Sequence, residues 1–358
     1  MKINFIIPFT GKTGGIKVIF EYANRLSEKG HDVICYVPMK AYKFDNVGFK
    51  GVIKNIKASI GNSIVRGKTV NWFKLKVPIK LVPLINNTFI READISIATA
   101  WPTAYDVNKL NKTKGKKFYL IQHYETWSGP LNKVDNSYKL DLNQIVVAKW
   151  LQDLMKDKFN NKAVQLVHNG IDFNEFYNHN KIINNQTVCI MYSKINWKGF
   201  EDGIKAFQIV KKQINNLKLI VFGLEKGIDV PEYAEFHLKP NKNELREIYS
   251  KSDVFDFPSR FEGWGLTPLE AMACKCAVVG TNTGAVKEIG INGENMLISE
   301  PEDINGLANN LLKILKDNDL LERISNNGNN TVLNFSWQKS VDKFEKILMD
   351  MGEYKNGM

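Results

Sequence analysis

The sequence predicts an α/β protein of two doubly wound domains, each built on a parallel sheet, and three observations lead there. Short apolar, strand-like runs alternate with helical patterns along the chain, the order expected of βαβ units. Its 358 residues suffice for two ordinary domains that each bury a core. A polar, Asn-rich stretch interrupts the alternation midway, following Asn169-Gly170-Ile171-Asp172 and running to Asn185. The expected divisions are a first domain over residues 1–168, a linker over 169–185, a second domain over 186–336 and a C-terminal helix over 337–358.

Residues 2–8 read as a buried strand. Residues 16–29 read as a helix, with Ile16, Ile19, Phe20, Ala23 and Leu26 on one face and Gly30 at its end. Residues 31–37 give the next strand, and 95–98, 117–121, 144–148 and 165–168 the later strands of the first domain. A second series falls at 188–192, 217–223, 253–257 and 277–280. Open sheets of this kind bind ligands outside the carboxyl ends of their strands, so two such domains facing each other leave a ligand cleft between them.

The densest chemistry lies after the 253–257 strand. Glu262 and Glu270 stand eight positions apart in Phe-Glu-Gly-Trp-Gly-Leu-Thr-Pro-Leu-Glu-Ala-Met-Ala, residues 261–273. Gly263 and Gly265 let the backbone approach a ligand and turn its amides inward. Thr267 reads as a helix N-cap, Pro268 as the first helical residue and Glu270 as the third residue past the cap. Taken alone, Thr267 and Glu270 make a capping box, which would give Glu270 a purely structural role, and Glu262 alone reads as a solvated loop residue. A helix start suits a diphosphate. A carboxylate beside it would repel phosphate but can accept hydrogen bonds from neighbouring sugar hydroxyls.

Together these residues resemble the Glu-x7-Glu signature of the retaining glycosyltransferases of family 4, which have the GT-B fold of two Rossmann-like domains facing a central cleft. Trp264 and Thr267 depart from it, where Phe and Pro are commoner. The loop Thr10-Gly11-Lys12-Thr13-Gly14-Gly15 resembles the family's amino-terminal glycine loop near the donor diphosphate. His168-Asn169-Gly170-Ile171-Asp172 is similar to the opening of its linker, and residues 278–284 with Glu288 to its last strand and turn beside the donor. In Tyr192-Ser193-Lys194-Ile195-Asn196-Trp197-Lys198-Gly199, Lys198 matches the family's phosphate-binding Lys. Lys194 stands in for the usual Arg, without its bidentate fork.

The resemblance implies a transferase that moves a hexose-type sugar from a nucleoside-diphosphate sugar to a saccharide or lipid-linked acceptor hydroxyl, and the Lys- and Asn-rich composition without a secretory signal points to assembly of a bacterial cell-surface polysaccharide or glycolipid. The resemblance also implies catalytic roles for His123 and Glu262 and ribose binding by Glu270. Gly263 and Trp264 would meet the donor sugar. Gly14, Gly15, Lys194, Lys198, Gly265, Leu266 and Thr267 would meet the diphosphate. His123 follows the apolar strand 117–121, and Glu125 beside it is a second candidate, for acceptor contact. The first domain would bind the acceptor, and the helix over 337–351 would cross back onto that domain. Rival readings are a catalytically inactive scaffold or partner subunit, against which the intact Glu262, Glu270, His123 and Lys198 stand, and an epimerase or phosphorylase of GT-B shape.

No cofactor or metal is expected. Asp317 and Asp319, the one Asp-x-Asp, fall at the start of a late helical pattern and read as a solvated cap. Cys274 and Cys276 lack a second ligand pair and read as core, and the four cysteines (with Cys35 and Cys189) are too few and scattered for a disulfide framework. The net charge is +11, and ten basic residues against Asp45 lie between positions 40 and 80. Interleaved with Phe44, Phe49, Trp72, Phe73 and the apolar run 77–85, they read either as a solvated face or as a basic amphipathic surface for anionic membrane or acceptor. No nucleic-acid motif accompanies the charge. With no signal-peptide pattern and no apolar run near the roughly 18 residues of a span, a cytoplasmic protein is expected, free or on the inner face of the plasma membrane.

Overall fold

The computed structural model describes residues 1–39, 42, 70–178 and 186–352. The chain forms two compact units, Met1–His168 together with Gln338–Met358, and Asn169–Trp337. Of the basic stretch, Lys40, Lys43, Lys50, Lys54, Lys57, Arg66 and Lys68 lie outside the described residues, as do positions 179–185 of the expected linker.

The first unit holds a seven-stranded sheet in the order β3-β2-β1-β4-β5-β6-β7. Its strands are β1 (Lys2–Ile6), β2 (Asp32–Pro38), β3 (Ile79–Val82), β4 (Ile95–Ala98), β5 (Lys116–Ile121), β6 (Asn143–Val146) and β7 (Gln165–Leu166). Every pairing is parallel. Such strands are covered on both faces, which is why Ile3, Phe5 and Ile6 of β1 and all of β4 are buried, the polar Asn4 and Ser96 among them. Helix α1 (Gly14–Glu28) starts at Thr13, whose Oγ1 accepts the Ile16 N–H at 3.3 Å, and buries Ile16, Ile19, Phe20, Ala23 and Leu26. Helices α2 (Trp101–Asn108), α3 (Leu131–Ser137) and α4 (Lys149–Phe159) follow β4, β5 and β6. Strand β3 was expected only as part of an amphipathic surface. Ile79 and Val82 are buried while Lys80 points outward, the pattern of an edge strand kept soluble by charge.

The second unit holds a six-stranded parallel sheet in the order β10-β9-β8-β11-β12-β13. Its strands are β8 (Thr187–Tyr192), β9 (Lys218–Gly223), β10 (Glu235–Leu238), β11 (Val254–Phe257), β12 (Ala277–Thr281) and β13 (Leu297–Ser299). Helices α5 (Phe200–Lys211), α6 (Lys242–Lys251), α7 (Thr267–Ala273), α8 (Gly284–Ile289), α9 (Ile304–Lys316) and α10 (Asn318–Val332) accompany them. Asp317 caps α10, its Oδ1 accepting the Leu320 N–H at 2.9 Å, so Asp-x-Asp serves the backbone here. All four cysteines are buried and unbridged. Helix α11 (Trp337–Gly352) closes the described chain, and all but its first residue belongs to the first unit. There Phe344 packs on Tyr22 with ring centroids 4.4 Å apart, and Lys29 Nζ donates to Asp342 at 2.7 Å. Among the described residues no helix is long and apolar enough to cross a membrane.

Both sheets reverse their order beside their first strand: β1 lies between β2 and β4, and β8 between β9 and β11. At such a switch point the connections leave in opposite directions and open a crevice at the carboxyl ends. The loops that follow β1 and β4, and those that follow β8 and β11, are therefore where each unit can hold a ligand.

Candidate functional site

In the second unit the loops after β8 and β11 meet. Glu262 is 6% exposed, and its Oε1 accepts two hydrogen bonds, from Lys198 Nζ at 2.6 Å and from Ser259 Oγ at 2.9 Å. Its Oε2 makes no hydrogen bond among the described residues. A buried carboxylate needs its charge compensated, and Lys198 does that from one side while the second oxygen stays open to a donor. The geometry suits a ligand hydroxyl at Oε2 and an anionic group beside Lys198.

Three contacts fix the two loops together. Gly199 has φ +66°, and a Cβ there would stand 1.9 Å from the Pro258 carbonyl oxygen, so only glycine lets the loop after β8 lie on the loop after β11. The N–H of Arg260 donates to the Trp197 carbonyl at 2.8 Å. The Arg260 guanidinium grips Asp202 with two bonds, Nε to Oδ2 at 2.7 Å and Nη2 to Oδ1 at 2.8 Å, and reaches Asn196 Oδ1 at 3.0 Å. Lys198 thus sits on a short 3-10 turn, Asn196–Lys198, tied at both ends to the segment that carries Glu262. From the other side Gly284, φ +55°, lets α8 close on the same segment, with the Ala285 N–H bonded to the Trp264 carbonyl at 2.5 Å.

Other expected residues fall around this pair. Lys194 is largely exposed and pairs with Glu225 at 3.0 Å. Gly265 has φ +82°, and its backbone turns at the end of the loop. Trp264 is buried against Phe335, with centroids 5.8 Å apart, so its indole packs the loop and its backbone carbonyl faces α8. Glu270 is 4% exposed on α7. The capping box does not form. Leu266, not Thr267, is the N-cap of α7, since its carbonyl accepts the Glu270 N–H at 2.9 Å, and its apolar side chain offers no acceptor to cap the helix. That starts the helix one residue early, with Thr267 at the first helical position and Pro268 at the second, where its missing N–H has no intrahelical partner to lose. Glu270 is therefore not the third residue past a Thr267 cap.

In the first unit Gln122 Nε2 donates to the Gly15 carbonyl at 3.1 Å, which links the loop after β1, with Gly14 at the start of α1, to the end of β5. His123 lies next, its ring edge-on to Trp127 at 4.4 Å and to Trp150 at 5.9 Å. Glu125 Oε2 accepts the Trp101 N–H at 2.8 Å, and burial lifts its carboxyl to about 7.

Sequence reasoning missed Ser259, Arg260, Asp202 and Asp256. Asp256 is 1% exposed in β11, neither side-chain oxygen is hydrogen-bonded among the described residues, and desolvation raises its carboxyl to about 8. An acid inside the apolar run Val-Phe-Asp-Phe was the available signal for it. The Arg260–Asp202 pair spans 58 residues and leaves no local signature.

Residues 172–331, most of the second unit, match the family model described as "Glycosyl transferases group 1". The capsular polysaccharide biosynthesis glycosyltransferase CapM of Staphylococcus aureus is 31% identical over 199 residues, 50% of this chain and 52% of that protein. N-acetyl-alpha-D-glucosaminyl L-malate synthase of Bacillus anthracis is 26% identical over 218 residues, 55% of this chain and 56% of its own length. The chain thus spans little more than half the length of these relatives. Anabaena Alr3699/HepE, solved in complex with UDP and glucose, superposes with a TM-score of 0.74 at 14% identity over 99% of this chain and 100% of that one. The likeness establishes the fold, GT-B, with its two Rossmann-like α/β units.

Proposed function

We propose that the protein is a metal-independent, retaining glycosyltransferase of family 4, which moves a hexose-type sugar from a nucleoside-diphosphate sugar to an acceptor hydroxyl. The observation that carries the reading is Glu262, buried at the β8/β11 switch point with one oxygen held by Lys198 and Ser259 and the other open. The match of residues 172–331 to a glycosyltransferase family supports it.

In this reading Glu262 Oε2 accepts a donor-sugar hydroxyl and Lys198 neutralises the diphosphate as the glycosidic bond breaks. Glu270 accepts from the ribose hydroxyls. Lys194 turns from Glu225 to the diphosphate, joined by backbone N–H groups of residues 263–267 and of Gly14 and Gly15. The leaving phosphate accepts the acceptor proton on the face from which it departs, which keeps the anomeric configuration. His123 hydrogen-bonds the donor sugar and orients that face. The basic stretch 40–80 holds the protein on anionic lipid at the cytoplasmic surface. Resemblance to a capsular polysaccharide enzyme supports a role in cell-surface polysaccharide assembly.

The test is nucleotide release from a panel of nucleotide sugars in EDTA, with saccharide and lipid-linked acceptors present, and the anomeric configuration of the product read by NMR. One donor turned over in EDTA with configuration retained is the expected result, with Glu262→Ala slower by about 100-fold or more. Turnover of no donor would favour an inactive scaffold.

A further inference from the structure

The strap that leads into β3, residues 70–78, is fastened to α1 and reaches from there to the glycine loop. Asn24 of α1 is 7% exposed and brackets the strap: its Nδ2 donates to the Lys74 carbonyl at 2.9 Å, and its Oδ1 accepts the Lys76 N–H at 2.7 Å. Trp72 and Phe73 lie on the fully buried Phe20 of the same helix, with ring centroids 5.7 and 5.4 Å away. So held, Trp72 Nε1 donates to the Thr10 carbonyl at 2.9 Å, across 62 positions of sequence. It is the one hydrogen bond that residues 9–12 make among the described residues. A loop with glycine at positions 11, 14 and 15 has a wide choice of backbone conformations, so a fixed point within it removes much of that freedom. The same bond also sets a direction. In a planar trans peptide the C=O and the N–H point opposite ways. With the Thr10 oxygen turned to Trp72, the Gly11 N–H faces away from the strap, and it makes no hydrogen bond among the described residues. Gly11 is exposed, and the Gly14 and Gly15 N–H groups that follow, at the start of α1, have no intrahelical acceptor.

We infer that Trp72 is a positioning residue for the donor diphosphate: it sets the Thr10–Gly11 peptide so that the Gly11 N–H joins those of Gly14 and Gly15 on the phosphate oxygens. The inference rests on the glycosyltransferase reading and deepens it, since that reading draws only Gly14 and Gly15 from this loop. With the peptide turned over, the Thr10 carbonyl would face the phosphate and repel it. The indole bond disfavours that orientation before the ligand arrives, so a donor aimed at the charge costs no reorganisation on binding.

The experiment is amide NMR of the full chain, isotope-labelled at glycine and titrated with UDP, GDP, ADP and dTDP, with donor turnover measured in parallel. The proteins are the wild type, Trp72→Phe, Glu28→Gln and Gly11→Ala, the last serving only to assign the Gly11 resonance by its loss. Trp72→Phe keeps a ring on Phe20 and removes the Nε1–H. Glu28→Gln removes the partner of Lys76 on the strap and leaves the Trp72 bond in place. In the wild type, the diphosphate that binds is expected to shift the Gly11 amide. In Trp72→Phe that shift is expected to be lost and Kd to rise by roughly five- to tenfold, with donor KM rising more than kcat falls. Glu28→Gln is expected to bind as the wild type does. The inference is overturned if the wild type shows shifts at Gly263 and Gly265 but none at Gly11, a result that needs no variant to fold. It is overturned equally if Trp72→Phe keeps the Gly11 shift and the wild-type Kd, or loses only thermal stability. Failure of the underlying reading looks different: no diphosphate shifts any glycine and no donor is turned over, and the inference falls with it.

Discussion

Two buried carboxylates in the same segment are treated in opposite ways. Glu262 has a cation and a hydroxyl on one oxygen, whereas neither side-chain oxygen of Asp256, six residues earlier in the core of β11, is hydrogen-bonded among the described residues. With its carboxyl raised from 3.8 to about 8, Asp256 is neutral in the folded protein at pH 7. The unfolded chain releases that proton at the lower value and the folded chain does not. The stability is therefore complete below about pH 4 and is lost progressively as the pH rises toward 8. Asp256→Asn, which mimics the neutral acid, should raise the urea midpoint at pH 8 and change it little at pH 4, so the gap between variant and wild type widens with pH. A gap independent of pH would mean that Asp256 is not neutral. Lys198→Ala leaves the Glu262 charge uncompensated and should cost about 3–5 kcal/mol of stability, measured by denaturant unfolding, while Lys198→Arg costs less. Glu262 and Lys198 could be named from the sequence because each sits in a recognisable local pattern. Their pairing could not, since it joins positions 64 apart.

At the scale of elements, the site is made by loops that touch through glycine. A side chain at Gly199 would overlap the Pro258 carbonyl in a backbone conformation L-residues rarely adopt. Gly199→Ala should therefore destabilise the second unit by more than about 1 kcal/mol and lower nucleotide affinity with it, checked by thermal unfolding with and without nucleoside diphosphate. Arg260→Gln leaves the buried Asp202 carboxylate without its cation, so it should lower the stability of the second unit as well as loosen the Lys198 turn. The expected signature is a lower kcat with a smaller change in KM, partly restored by Arg260→Lys. Strands with continuous apolar runs, such as β1, β8 and β12, were legible from sequence. The short edges β3, β10 and β13 were not, because four or fewer residues with one exposed face carry too little pattern to separate them from loops. The start of α7 was misplaced by one residue for a related reason: a Thr-Pro pair fits the cap and first position, or the first and second, equally well.

At the scale of the whole molecule, each unit carries the same strand-order reversal, and the candidate residues of each gather at the carboxyl end of its own sheet. Helix α11 completes the first unit's core, where Phe344 is fully buried against Tyr22. Phe344→Ala should lower the stability of that unit by about 3–5 kcal/mol in calorimetric unfolding and leave nucleotide binding by the second unit in place. The alternation of strands and helices disclosed the two-sheet plan, while the ties between positions far apart in the chain, Lys29 to Asp342 among them, emerged only from the fold. The central claim is that the Lys198–Glu262 pair divides its work between the diphosphate and the sugar of one donor. Calorimetric titration of a nucleoside diphosphate, and of the same nucleotide carrying its sugar, tests it on the wild type, Lys198→Ala and Glu262→Ala. Lys198→Ala should weaken both ligands, and Glu262→Ala only the sugar conjugate. Unchanged affinity in both variants, or equal losses for both ligands in Glu262→Ala, would contradict it.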